Sequence, residues 1–178
     1  MNYVSDMAGI VSIQARDRRA LEAMYLRYHS HLAQFLSRLI SSRNIVDDII
    51  NDTFVAVWKC AKEFDRESSI DTWVFRIAYE TALRSMSRRS TPPGASHPIE
   101  SDNWLRQGLA RLSPAQCATL TLAYQMGFSI EAVAKITQSS LGIVNARMRK
   151  ASHELHGSLE RSAGIPHAGI VRIGTGPM

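Results

Sequence analysis

The chain has 178 residues, 45% of them hydrophobic and 21% charged, which suits a soluble globular protein of one ordinary or two small domains and excludes a disordered chain. No run approaches the ~18 apolar residues of a membrane span, and the start, "MNYVSDMAGIVSIQARDRR", lacks the basic and apolar regions of a secretory signal. Cys60 and Cys117 form no CxxC pair, which argues against a disulfide framework or zinc ribbon and for a reducing cytoplasm, while a net charge of +5 weakly favours polyanionic partners.

Residues 1–14 read as an N-terminal segment. From Asp17 to Ser41 the apolar residues Leu21, Met24, Tyr25, Tyr28, Leu32, Phe35, Leu36 and Leu39 recur at helical spacing, uninterrupted by Gly or Pro, and predict one long helix or two nearly continuous ones. A second helix is expected from about Ile45 to Phe64, burying Val46, Ile49, Ile50, Phe54, Val57, Trp58 and Ala61. The loop "FDRESSID" precedes a third, from about Thr72 to Arg88, with Val74, Ile77, Ala78 and Thr81 inward. The composition then changes: "STPPGASHPIESD", residues 90–102, is rich in Pro, Ser and Gly and reads as a flexible linker.

Beyond it Trp104 to Leu112 starts a new helix, and Ser113-Pro114 supplies an N-cap with Pro at the first helical position of the next. Gly127 sits where a C-cap belongs. A short helix from Ile130 to about Thr137 is capped by Ser129. After "QSS" a last helix runs to about Glu160 on the stripe Leu141, Val144, Met148, Leu155 and Leu159. A short helix, a tight turn and a longer helix with a polar outer face make a helix-turn-helix. The tail from 161 to 178 is Gly-rich and unpatterned and is expected to be mostly flexible. No strand pattern or repeat is present, so the expected fold is all-α, two small helical domains joined by a linker.

Three stretches carry candidate chemistry. In the last helix Gly142, Asn145, Ala146 and Arg149 fall on one outer face, flanked by Arg147 and Lys150. Small residues let a backbone approach a duplex, Asn reads base edges, and Arg or Lys holds phosphates or guanine. In "NIVDDIINDTF" the acids Asp47, Asp48 and Asp52, with Asn51, lie off the buried stripe. First-turn carboxylates complement the helix dipole, but Asp52 is two turns in, where a docking face for a basic partner fits better. In "SIDTWVFRIAYETALRSMSRR" the aromatics Trp73, Phe75 and Tyr79 alternate with Arg76, Arg84, Arg88 and Arg89. That suits unstacked bases, and equally a core Trp with arginines gathered at a helix C-terminus. His153 and His156 lack a third ligand for a metal, and no nucleophile motif or Gly-rich phosphate loop is present, so no metal, cofactor, catalytic residue or enzymatic activity is expected.

Taken in order, an acidic helix, an aromatic-basic helix, a linker and a helix-turn-helix resemble an extracytoplasmic-function (group IV) sigma factor of bacterial RNA polymerase, over about residues 15–160. "VDDIINDTFVAVW…F…DTWVFRIAYETAL…RR" is similar to region 2 (15–89), and "FSIEAVAKITQSSLGIVNARMRKA" to region 4 (103–160). The resemblance implies a cytoplasmic protein of environmental or stress response that binds core polymerase (clamp and flap) and promoter DNA. It also implies an anti-sigma factor, which can be membrane-anchored, and no small-molecule substrate. By the same resemblance Asp47, Asp48, Asn51 and Asp52 bind the clamp. Asp65, Arg66, Glu67, Ser68, Ser69, Ile70, Asp71, Trp73, Arg76, Tyr79, Glu80 and Arg84 open and read the −10 element. Ser139, Ser140, Gly142, Asn145, Ala146, Arg147, Arg149 and Lys150 read the −35 element. The chain departs from the family pattern at Glu80, where Asn is usual, and at Thr137, Gln138 and Ser139, which replace an apolar-Gly-apolar turn. Ile143, Asn145 and Ala146 replace Thr, a basic residue and Ser, and Cys117 stands where Arg is common. The rival functions are a stand-alone helix-turn-helix regulator, which needs no acidic docking face, and a sigma-like mimic that titrates an anti-sigma factor.

Overall fold

Four helices form the first unit of the computed structural model, which describes residues 3–64, 66–89, 108–109 and 111–163. They are α1 (Tyr3–Gln14), α2 (Arg18–Leu36), α3 (Arg43–Cys60) and α4 (Ile70–Arg89), with a 3-10 turn at Ala61–Glu63 closing α3. The second unit comprises α5 (Pro114–Leu120), a π-helical turn at Thr121–Gln125, α6 (Ile130–Thr137) and α7 (Leu141–Ala163). No strand occurs among the described residues. The expected helix at 104–112 falls largely outside them, as do the expected linker, 90–102, and the tail from 164 on.

In the first unit the helical stripes meet as the periodicity requires. Tyr28, Leu32 and Phe35 of α2, Val46, Ile49, Ile50 and Val57 of α3, and Val74, Phe75 and Ala78 of α4 are buried in a common core. The chain leaves its helical path after Leu36, so the stretch to Ser41 is not one continuous helix. The turn still buries Leu39 and Ile40. The N-terminal segment is the helix α1, which buries Ile10 and Ile13 against this core. It is fastened to the end of α3: Gln14 Nε2 donates to the Ala61 carbonyl at 2.9 Å. Just beyond it, Arg16 donates to the Trp58 carbonyl at 2.9 Å while its guanidinium lies 5.1 Å from the Trp58 ring centroid. The Asp17 carboxylate caps α2 by accepting from the Arg19 amide at 2.8 Å.

Local sequence sets the second unit equally firmly. Ser113 and Gln116 form a reciprocal capping box, the Ser113 amide donating to Gln116 Oε1 at 2.8 Å and the Gln116 amide to Ser113 Oγ at 3.3 Å. Gly127 takes φ +71, the left-handed conformation that turns the chain into α6. Ser129 caps α6, and Gln138 ends it in left-handed geometry (φ 49, ψ 46), so that the Ser139 amide reaches the Ala134 carbonyl at 3.0 Å. The buried stripe of α7 differs from the expected one. Val144, Ala151 and Ser158 are buried, whereas Leu141 and Leu159 are 47% and 39% exposed. The chain at Gly108 passes close to this stripe: a Cβ there would lie 2.9 Å from Leu155 Cδ2 and 3.2 Å from Ser158 Cβ.

The two units are in contact. Phe128 meets Phe75 edge-on at 5.0 Å, and Cys117 Sγ lies 3.2 Å from the Arg38 carbonyl. Burial pushes the Cys117 thiol pKa up, so it stays protonated and can donate that bond.

Removing the capping hydroxyl of α5 by Ser113→Ala should lower unfolding free energy by about 1 kcal/mol, because the Gln116 amide loses its acceptor. Urea denaturation followed by circular dichroism checks this, and an unchanged midpoint refutes it.

Candidate nucleic-acid and partner interfaces

The acidic residues of α3 lie beside an apolar groove. Asp48, Asn51 and Asp52 are exposed and Asp47 is half-buried. Asn51 Oδ1 accepts from the Tyr25 hydroxyl at 3.3 Å, which joins α2 to this face. Next to it a groove of about 520 Å³ runs between α2 and α3, lined by Leu21, Tyr25, Phe54, Val55 and Trp58 along with Asn51. Val55 is 51% exposed although apolar. Sequence reasoning placed the charges and missed the groove. The available signal was Val55, an apolar residue that falls off the buried stripe.

The residues expected to read the −10 element divide by burial. Ile70 and Trp73 belong to the core, and Trp73, 3% exposed, stacks edge-on against Phe64 at 5.3 Å. Asp71 accepts from the Tyr28 hydroxyl. Ser69 Oγ caps α4 through the Thr72 amide at 3.1 Å. These contacts fix the start of α4. Asp65 lies outside the described residues; Arg66 (φ 64) and Glu67 are exposed, and Ser68 is half-buried. Arg76 and Glu80 are half-buried, Arg84 is exposed, and Tyr79 is only 4% exposed. Burial raises the Tyr79 pKa, and the Arg147 guanidinium pulls it back part of the way.

A second cleft, also of about 520 Å³, opens between α3 and the C-terminal half of α4. Lys59, Arg84 and Arg88 line it with Thr81, Ser85 and Asp52. Arg84 donates to Thr81 Oγ1 at 3.2 Å, which holds its guanidinium near the cleft wall. Lys59 completes this basic surface and was not singled out from the sequence, because it stands alone on α3.

On α7 the outer face emerges as expected: Ser140, Gly142, Asn145, Ala146, Arg149 and Lys150 are all exposed. Ser140 Oγ accepts from the Ile143 amide at 3.3 Å and starts the helix. Arg147 differs, since it donates to Ser139 Oγ at 2.9 Å, and Ser139 Oγ donates to the Thr137 carbonyl at 3.0 Å. It braces the turn rather than standing free on the flank.

A family profile described as sigma-70 region 2 matches residues 24–91, from α2 to just past α4. The ECF RNA polymerase sigma-E factor of Haemophilus influenzae is 24% identical over 88% of this chain and 96% of its own length. The factor of the same name from Escherichia coli K12 is 23% identical over 88% and 95%. Among solved structures, CnrH in complex with the cytosolic domain of CnrY matches 88% of this chain and 98% of its own (TM-score 0.67, 21% identity). The sigma factor RpoE of Bartonella quintana, in a co-crystal with the anti-sigma factor NepR, matches 78% and 96% (TM-score 0.66, 23% identity). The first unit thus carries a sigma-70 region 2, and over most of its length the chain is similar to extracytoplasmic-function sigma factors.

Proposed function

We infer that this sigma factor docks on core RNA polymerase through α3, reads the −10 element with α4 and the loop before it, and reads the −35 element with α7. The observation that supports this most is the exposed carboxylate face of α3 beside an open apolar groove. Charge at the rim with an apolar floor at the centre suits a protein partner that brings basic and aliphatic side chains together. The function supplies affinity and position for the polymerase's own chemistry, so the chain needs no catalytic group. A stand-alone regulator would have no use for that face.

Promoter binding draws on two surfaces of different character. The cleft of Lys59, Arg84 and Arg88 suits phosphates of the duplex beside the −10 element. The outer face of α7 suits base edges. An anti-sigma factor is the regulatory partner, a reading supported by the Bartonella RpoE–NepR complex. No described helix is long and apolar enough to cross a membrane, and a cytoplasmic location fits the proposed partners.

Asp52→Lys should weaken binding to core polymerase by about ten-fold while shifting unfolding free energy by no more than about 0.5 kcal/mol, since the side chain is exposed. Pull-down with core polymerase and thermal melting measure the two quantities, and undiminished pull-down would refute the docking face.

Asn145→Ala should cost about 1–3 kcal/mol at one base pair of the −35 element and little elsewhere. Lys150→Ala should instead weaken binding to every sequence alike and lower the salt slope by about one unit. Binding by the holoenzyme to a series of −35 variants separates them. Equal losses at every base for both would make α7 a holder of DNA and not a reader.

A further inference from the structure

The first two turns of α7 hold apolar side chains in solvent at the end where a recognition helix meets base edges. Ile143, the third residue of the helix, is 48% exposed. Ala146, three residues on and so its neighbour on the helix surface, is exposed as well. Gly142 beside them is exposed and adds no side chain. Leu141 is exposed to a similar degree, but it comes three residues before the buried Val144 and so lies on the side that turns toward the core. The nearest cation to Ile143 is Arg147, one turn on, and its guanidinium is committed to Ser139 Oγ at 2.9 Å. The Ile143–Ala146 pair therefore presents methyl and methylene surface.

That surface is held in place. The Ile143 amide donates to Ser140 Oγ at 3.3 Å, which sets where the helix starts. A β-branched residue inside a helix keeps essentially one χ1 rotamer. Contact through Ile143 thus loses little side-chain entropy, whereas a Lys or Arg in its place would lose much more.

In the major groove each base pair shows its own order of donors and acceptors, and of the four bases thymine alone adds an apolar group, its C5 methyl. Ile and Ala side chains carry neither donor nor acceptor, so they match no hydrogen-bond pattern and no phosphate. The one base-edge feature they complement is that methyl. They also oppose the alternatives, because an amino or carbonyl group pressed against them gives up water and gains no partner.

Resting on the −35 role inferred for α7, we propose that Ile143, backed by Ala146, is a specificity-determining residue that reads a thymine of the −35 element through its C5 methyl. The helix then reads DNA in two modes. Asn145 and Arg149 act by hydrogen bonding on one side of the outer face, and Ile143 acts by apolar contact on the other.

Deoxyuridine in place of thymidine removes only the methyl and leaves pairing and every hydrogen-bonding group as they were. Thymidines on both strands of the −35 region of a promoter that the holoenzyme transcribes are replaced singly. Binding of each duplex by the holoenzyme is compared with that of the unmodified one. One thymidine should stand out, its replacement weakening binding about four-fold, the loss expected when one methyl leaves an apolar contact. Ile143→Ala should weaken binding to the unmodified duplex and abolish that difference. Alanine is the better helix former, so the variant keeps α7. Ile143→Val should retain most of the difference, and Lys150→Ala should weaken both duplexes and leave their ratio unchanged. The absence of any sensitive thymidine, or one equally sensitive in Ile143→Ala, overturns the proposal. So does an Ile143→Ala variant that keeps the deoxyuridine profile and binds core polymerase less well, since Ile143 then serves a protein contact. The −35 role of α7 fails by a different result: base-pair changes across the −35 element that leave binding by the wild-type holoenzyme unaltered.

Discussion

Helix α4 is apolar on more than one side, and the rest of the molecule is arranged around that fact. Trp73, Val74, Phe75, Ile77, Ala78, Tyr79 and Ala82 are all buried, so no single face of α4 can be given to solvent. A helix of this kind must be covered from two directions. The α2–α3 pair covers one, through Phe35 against Phe75 at 5.6 Å. The second unit covers the other, through Phe128 and α6. Tyr28 anchors the beginning of α4 at Asp71, and the Ser69 cap fixes where it starts.

The placement of charge follows from this burial. With its sides occupied, α4 gathers exposed cations toward its C-terminal half, where Arg84 and Arg88 share a cleft with Lys59. Carboxylates collect on α3, and Asp52 touches both worlds: it lies on the acidic face and lines the basic cleft. A partner docked on α3 would thus sit within one side chain of bound phosphates. In the proposed reading, promoter contact and polymerase contact would meet at that residue.

Much of this was legible in the sequence. The stripes of α2 and α3, the Ser113 and Ser129 caps, the Gly127 turn and the outer face of α7 all follow from spacing and local chemistry. Where legibility failed, the deciding term was non-local. The helix α1 is held by Ile10, Ile13 and the Gln14 and Arg16 bonds to the end of α3, partners more than forty residues away. The α7 stripe was misjudged because bulk was taken as the mark of burial, whereas the small Ala151 and Ser158 are buried, the latter against Gly108. Trp73 could be read as a base platform or as core from sequence; its contact with Phe64 makes it core in this arrangement. Nothing in the sequence pairs Glu80 with Gln138, which are 58 residues apart.

The backbone at Gln138 bears on how such a chain can change over generations. A side chain with a Cβ in left-handed geometry, φ 49 here, is less stable by roughly 1 kcal/mol than glycine would be at the same helix end. Glycine there would therefore tighten α6 and delete its contact with Glu80 in a single step. A sturdier helix end and the contact with Glu80 thus make opposite demands on this position. A drift toward thermostability would keep both units folded and loosen the contact between them.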